Sequence, residues 1–513
     1  MKKSSQNRVF QNASAVTALS VAERGLGFLY RIVLSRLIGA EGVGLYQVAL
    51  SLFSLFLTIG SGGIPITVSR MVTKHKAERN PKGESGTFSA GVTLCLLLTL
   101  PAVFILGLFG GKMTFLFSDP RCNRVFQILL IGLVFSSVYA VIRGYFWGNK
   151  KFLLPSIIEI SEEAVMVIAG VLLLQNVTSA QAGAEKAAWA VVISYLFSFT
   201  FAVSSFFVCG GKISTPKKQL KPLFNATLPI TSVRAGSSFV NSAIAVLLPA
   251  MLVRAGVNST EALKLFGIVS GMAIPILFIP STIIGSLSLV LVPELSEDFY
   301  KKNYERLYKN ISRGIRFSLL VSCALIPFFY ALGADIGNLA YSNAMAGEII
   351  MKSCPILLPM SLTMITTGML NSMGFEKQTF SFYFVGAAAM LFSVLVLPTY
   401  CGVYAYVIGL AASFVLNAVC NLVFLCKKCP VFAKGRGQVF VQSIFPAIFC
   451  ILPISLFGQF CNALCKRFFG AFFSVSITAT LLVLVTAAIY LVAGIVKIKA
   501  KPLFQPINSL KKN

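Results

Sequence analysis

The sequence predicts an all-α, polytopic membrane protein of about 14 transmembrane helices. Three observations predict it. Of the 513 residues, 56% are hydrophobic, only 12% are charged, and mean hydropathy is +0.82. A soluble domain is about a quarter charged, and at half that charge a chain of this size has too few polar groups to cover its surface. Apolar runs of the length needed to cross a bilayer, about 20 residues, recur along the whole chain. Lys and Arg number 44 against 17 Asp and Glu, and they cluster in the short stretches between runs. That clustering is the mark of cytoplasmic loops rather than of a nucleic-acid surface, so no nucleic-acid partner is expected.

In order, the first-half segments are expected at about 11–38, 43–72, 85–109, 124–147, 154–175 and 186–208. The second half follows at 223–253, 263–292, 312–332, 346–373, 378–398 and 402–425, with two more at 439–458 and 471–496. If the N-terminus is cytoplasmic, thirty Lys and Arg fall on the inside and eight on the outside. Both termini are therefore expected in the cytoplasm. The first segment follows a basic start but shows no small-residue cleavage site, so it reads as a retained helix. The only histidine, His75, is expected in a loop, and the C-x-x-C of Cys426 and Cys429 lacks the four ligands a zinc site needs. No metal and no cofactor are expected. Phosphate-binding GKS/T loops, nucleophile elbows and HExxH motifs do not occur, so neither ATP hydrolysis nor other enzymatic activity is expected.

The two halves resemble one another weakly. Segment 1 carries SVAERGLGFLYR from Ser20 and segment 7 carries SVRAGSSFVN from Ser232, which places Arg24 and Arg31 210 residues before Arg234 and Asn241. Paired helices six apart share an orientation, as in transporters with parallel repeats. The expected organisation is an N-terminal lobe over 1–215, a C-terminal lobe over 216–430, and two additional helices with a basic tail over 431–513. GSGGIP from Gly60, and Pro275, Pro280 and Gly285 in segment 8, are expected breaks.

Segment 1 also holds Glu23, Arg24, Arg31 and Arg36. Three intramembrane charges cost on the order of 8–10 kcal/mol on insertion scales, so one side of this helix needs a polar environment. Arg24 and Arg31 are seven apart and lie nearly over one another. Arg234 and Asn241 repeat the spacing on segment 7. Facing each other, these four residues would line a cationic cavity. Guanidinium stays charged when buried and matches phosphate oxygens two at a time, so a phosphate or diphosphate is the expected ligand. Segment 5 supplies the acidic counterpart: Glu159, Glu162 and Glu163 share a helix face. With Glu23, they read either as coupling sites for H+ or Na+ or as ion-pair partners of the arginines.

The stretch LGFLYRIVLSRLIGAEGVGLYQVA from Leu26, followed by GIPITVSRMV from Gly63, resembles the polysaccharide-transporter branch of the multidrug/oligosaccharidyl-lipid/polysaccharide exporter superfamily, related to the lipid II flippases. The resemblance implies two pseudo-symmetric six-helix lobes plus two helices, working by alternating access in a bacterial plasma membrane. It implies an undecaprenyl-diphosphate-linked oligosaccharide or peptidoglycan precursor as substrate, with membrane lipids and cell-wall synthesis proteins as partners, in polysaccharide, cell-wall or spore-cortex assembly. Arg24 stands where those flippases place an arginine. Tyr30-Arg31 and Leu57-Thr58 depart from their pattern, which puts lipid II itself in doubt as the substrate. A multidrug cation antiporter of the same superfamily is the alternative, although its site would be acidic rather than cationic.

Overall fold

The structure, a computed structural model, describes residues 2–110, 117–428 and 445–492. Among the described residues it is helical, with no strand. Cys429, the basic stretch through Arg436 and the basic C-terminal tail lie outside them.

The chain opens with α1, Lys2–Ser61, 60 residues long. Such a helix would reach about 90 Å, three times the hydrocarbon thickness of about 30 Å. It turns at Gly39, whose φ of 69° and ψ of 178° lie outside the helical region and are accessible to glycine without a side-chain clash. The expected segment at 11–38 and most of the one at 43–72 thus share α1, the latter's end continuing in α2. The break expected at Gly60 occurs after Ser61, and α2 (Ile64–Ala77) restarts with Pro65 in its first turn. His75 lies in the last turn of α2 and is buried, not in a loop as expected, because the helix runs on through the basic stretch.

The next helices are α3 (Pro81–Leu108), α4 (Arg121–Gly148), α5 (Leu153–Leu174), α6 (Ala180–Val208) and α7 (Lys217–Arg254). Asn80 caps α3 by accepting from the Gly83 amide, and Ser179 caps α6 by accepting from Ala182. The expected eighth segment is interrupted. It comprises α8 (Ser259–Phe266), a π-helical turn over Gly267–Ala273, α9 (Ile274–Leu277) and then α10 (Pro280–Tyr300). After these come α11 (Tyr304–Tyr341), α12 (Ala344–Ser353), a 3-10 turn at Cys354–Ile356, α13 (Leu357–Ser372), α14 (Glu376–Val396), α15 (Pro398–Cys401) and α16 (Tyr404–Lys428). The described part ends with α17 (Phe445–Phe449), α18 (Ile451–Phe468) and α19 (Ala471–Val492).

Twelve stretches among the described residues are long and apolar enough to cross a membrane. The expected number was 14. The difference has two physical sources: one 60-residue stretch, Ala18–Ala77, holds both of the first two expected segments, and α5 is excluded by its three carboxylates. Large apolar side chains such as Phe104, Leu172, Phe392 and Leu484 stay more than 60% exposed, as lipid-facing positions do.

The chain forms two compact units. The first draws on Met1–Ile276, Ala340–Ala346 and Phe384–Ser413. Its core joins α2, α3, α4 and α6 through Ile64, Val68, Phe146 and the stacked Phe88–Phe206 pair, 4.0 Å between centroids. Here α7 is held to α1 by polar contacts: Thr58 Oγ1 to Ser238 Oγ at 2.9 Å, and Ser242 Oγ donating to the Ser51 carbonyl at 2.6 Å. The contact of α1 with α8 is closer still. A Cβ on Gly44 would stand 2.0 Å from the Leu263 carbonyl oxygen, so only glycine fits.

The second unit draws on Leu277–Leu339, Gly347–Tyr383 and Phe414–Asn513. Leu295, Leu307, Ile311, Ile365, Met369 and Leu425 are central to its core. Ser318 donates to the Ser361 carbonyl and Ser322 to the Leu357 carbonyl, which ties α11 to α13. Asp335 of α11 accepts from Asn462 and Lys466, anchoring α18.

Candidate functional site

All eight charged or polar residues singled out in the sequence lie in the first unit. Arg24 and Arg31 sit mid-helix on α1, both exposed. Among the described residues neither makes a hydrogen bond or ion pair. Arg36, one turn beyond, donates from Nε to the Ala340 carbonyl at 2.8 Å. Arg234 of α7 is exposed and donates to the Gly62 carbonyl at 2.9 Å. That carbonyl belongs to the break between α1 and α2, where backbone acceptors lack helical partners. Asn241 is exposed on α7.

A cavity of about 260 Å³ opens between α1, α5, α6 and the π-helical turn. Arg31, Glu162 and Glu163 line it, with Tyr30, Tyr46 and Tyr195. Arg24, Arg234 and Asn241 are not among its lining residues, so of the four expected cavity residues only Arg31 lines this one. Gly27 makes room for the carboxylate: a Cβ there would stand 2.8 Å from Glu163 Oε1. Tyr30 is 3% exposed, and its hydroxyl has no hydrogen-bond partner. One guanidinium and two carboxylates that are not ion-paired therefore share a cavity walled by aromatic rings. Charges that are not ion-paired, facing such a cavity, are stabilised by water, a proton or a bound counter-ion.

Glu159 has a different fate. It accepts from Arg143 of α4 at 2.8 Å, and so pairs outside α1. Arg143 lies between two rings, its guanidinium 5.1 Å from the Trp147 centroid and 5.8 Å from Tyr139. Both are cation–π distances. Its Nε is buried without a partner. Arg143 was not among the residues singled out in the sequence. The signal that could have found it is the pair of aromatic residues one turn to either side. Glu23 is half-buried, close enough to Glu159, Arg24 and Arg143 to feel their charges.

A second charged group closes over the bend of α1. Arg121, the first residue of α4, donates to Glu41 at 2.6 Å and to both Asp119 oxygens at 2.8–3.1 Å. It also reaches Thr260 of α8 at 3.4 Å. Burial pushes the Asp119 carboxyl up, but its hydrogen bonds from Arg121 and Ser259 outweigh that and hold it below the usual carboxylate range. Among the described residues no group of three or more His, Cys, Asp or Glu is placed to hold a metal.

Long lipid-exposed helices, breaks at Gly62-Gly63 and at the π-helical turn, and charges facing a cavity in mid-span together define a multi-pass membrane protein of transporter type. The chain belongs to the family described as polysaccharide biosynthesis protein, which it matches over residues 9–299. It is 26% identical over 363 residues to stage V sporulation protein B of Bacillus subtilis (strain 168), covering 66% of this chain and 68% of that one. Its fold is that of a solved structure of the lipid II flippase MurJ in an inward closed conformation. That likeness has a TM-score of 0.71 at 15% identity and covers 94% of this chain and 99% of the other. It is also similar to an inward-facing multidrug resistance MATE family transporter of the MOP superfamily, with a TM-score of 0.66 at 14% identity over 80% of this chain and 96% of that one.

Proposed function

We propose that this protein carries an undecaprenyl-diphosphate-linked oligosaccharide or peptidoglycan precursor across the bacterial plasma membrane by alternating access, in polysaccharide, cell-wall or spore-cortex assembly. One observation carries the proposal: Arg24 and Arg31 are stacked in mid-span on α1 with no protein partner among the described residues. A guanidinium within the span that makes no ion pair or hydrogen bond, even with carboxylates nearby, is poised for a ligand anion, and a diphosphate offers it paired oxygens. Arg234 and Asn241 extend the anion site from α7. The similarity to stage V sporulation protein B and to the MurJ fold supports a lipid-linked substrate.

The cationic chamber is proposed to lie between chain-order lobes 1–215 and 216–430, with 431–513 as an accessory pair of helices and both termini in the cytoplasm. Coupling is proposed to reside at Glu162 and Glu163. Arg31, Glu162 and Glu163 together leave the cavity one negative charge in excess, which a proton or Na+ would balance. That acidic lining favours a second reading, a multidrug cation antiporter, for which the MATE-like fold also speaks.

Native mass spectrometry of the purified protein separates the two. A co-purifying prenyl-diphosphate sugar, lost in Arg24→Ala, is expected. An Arg24→Ala and an Arg234→Ala variant that both transport and complement as well as wild type would refute the anion site. Saturable exchange of an organic cation against Na+, blocked by Glu162→Gln, would establish the antiporter instead.

A further inference from the structure

Three connections of the first unit meet at one end of its helices. Lys76 Nζ donates to Asn149 at 2.6 Å, and Asn149 donates to Glu84 at 2.9 Å. Ser85 donates to Ser214 Oγ at 3.1 Å, and the Ser214 amide donates to Ser89 Oγ at 3.0 Å. The α2–α3 turn, the α4–α5 turn and the α6–α7 link are thereby stitched into a single face. Residues 70–89, 145–152 and 209–221 carry eleven Lys and Arg, all exposed, against two acidic residues, Glu78 and Glu84. Among the described residues, the side chains of nine of the eleven make no hydrogen bond or ion pair; the exceptions are Lys74 and Lys76. Large apolar side chains flank them: Phe152 follows Lys150 and Lys151, while Val208 and Ile213, 87% and 67% exposed, bracket Lys212. Cations alternating with exposed apolar groups suit the boundary between lipid tails and phosphate headgroups.

Backbone conformation adds an independent observation. Arg79 and Lys150 have φ of 53° and 60° at the ends of α2 and α4. In the second unit, Lys302 has φ of 56° at the end of α10. Each sits at the position after the helix where the chain turns left-handed. The next residue donates back into the last turn: Asn80 to His75, Lys151 to Phe146 and Asn303 to Asp298. Glycine is the usual residue there because a side chain is strained at that φ. This chain uses glycine at the same position elsewhere, at Gly210, Gly256 and Gly374. Keeping Arg or Lys instead costs stability, and what it adds is a charge at the helix end. A charge interacting only with its own helix terminus could stand one residue earlier without strain.

We infer that this basic face of the first unit docks on anionic phospholipid, and that Arg79 and Lys150 hold strained conformations to place their charges against headgroup phosphates. An acidic protein partner would not require the interleaved apolar residues, and the face adjoins lipid-exposed helices on all three connections.

The test uses the full-length chain with Trp189→Phe, which leaves Trp147, three residues before Lys150, as the sole tryptophan. The protein is reconstituted in equimolar phosphatidylcholine and phosphatidylglycerol, with bromine on the acyl chains of one lipid or the other. Quenching of Trp147 by brominated phosphatidylglycerol should exceed quenching by brominated phosphatidylcholine severalfold. High salt should weaken that preference, and each charge removed should cut it about threefold to fivefold. In Arg79→Gly/Lys150→Gly the preference should collapse while the unfolding midpoint is unchanged or rises by about 1–2 °C, since glycine relieves the strain. Lys264→Ala, on a residue of α8 paired with Glu261, should leave the preference intact. Equal quenching by the two lipids in the parent protein, or a preference that survives both glycine substitutions, would overturn the inference. Recovery of the preference in Arg79→Lys/Lys150→Arg would tie it to charge.

Discussion

The two halves of α1 are covalently one helix, yet only the half before Gly39 carries exposed, unpaired arginines. Before Gly39, the helix exposes Val21, Leu29 and Leu37 and leaves Arg24 and Arg31 without partners. After it, Val43, Leu45, Val48, Ala49 and Phe53 are buried, and Gly44 lies against the backbone of α8. The later half is scaffold, fixed by contacts closer than any side chain allows. The earlier half buries one side, at Tyr30, Leu34 and Ile38, and carries the charges of Arg24 and Arg31 on its exposed side. A substitution should therefore affect stability on one side of Gly39 and function on the other.

Gly44→Val breaks the comparison most severely. Its side chain has no room beside Leu263, so we expect a loss of about 2–3 kcal/mol or failure to fold, read from thermal unfolding and monodisperse yield. Arg121→Ala comes next. It strips the buried Asp119 and half-buried Glu41 of their shared guanidinium, at an expected cost of about 1–2 kcal/mol of stability, read as a lowered unfolding midpoint. The same contact has a pH signature. Asp119 is held below its ordinary range in the folded state. Its ionic contribution is therefore complete at pH values above about 4 and is lost as pH falls through the lowered value. Wild type should outlast Asp119→Asn in unfolding midpoint at neutral pH, and the two should converge only in strong acid. The smallest stability effect is expected of Arg24→Ala, within about 0.5 kcal/mol of wild type, since no contact is removed. A large loss of stability there would mean that the earlier half of α1 is also scaffold.

What was legible in the sequence followed from lengths and periods. Hydropathy located the long helices; of the three carboxylates that the sequence put on one face of α5, Glu162 and Glu163 line the cavity with Arg31, while Glu159 does not. What was not legible depended on neighbours. A helix period tells which residues share a face but not which helix faces them, so the pairing of Glu159 with Arg143 across α4 and α5 could not be read. Arg121 looked like a loop charge until the fold brought Glu41, Asp119 and Thr260 around it. His75 looked like part of a loop because its neighbours are basic, although the apolar face of α2 carries the helix past it. The bend at Gly39 depends on a positive φ, which no hydropathy pattern records.

The cavity around Arg31 also imposes an order on biogenesis. Its carboxylates at Glu162 and Glu163 lie more than 130 residues downstream, on α5. At ribosomal speeds that distance corresponds to roughly ten seconds of synthesis. During this interval the first helix has left the ribosome while the acidic wall of its cavity does not yet exist. The newborn α1 acquires those neighbours only when α5 emerges.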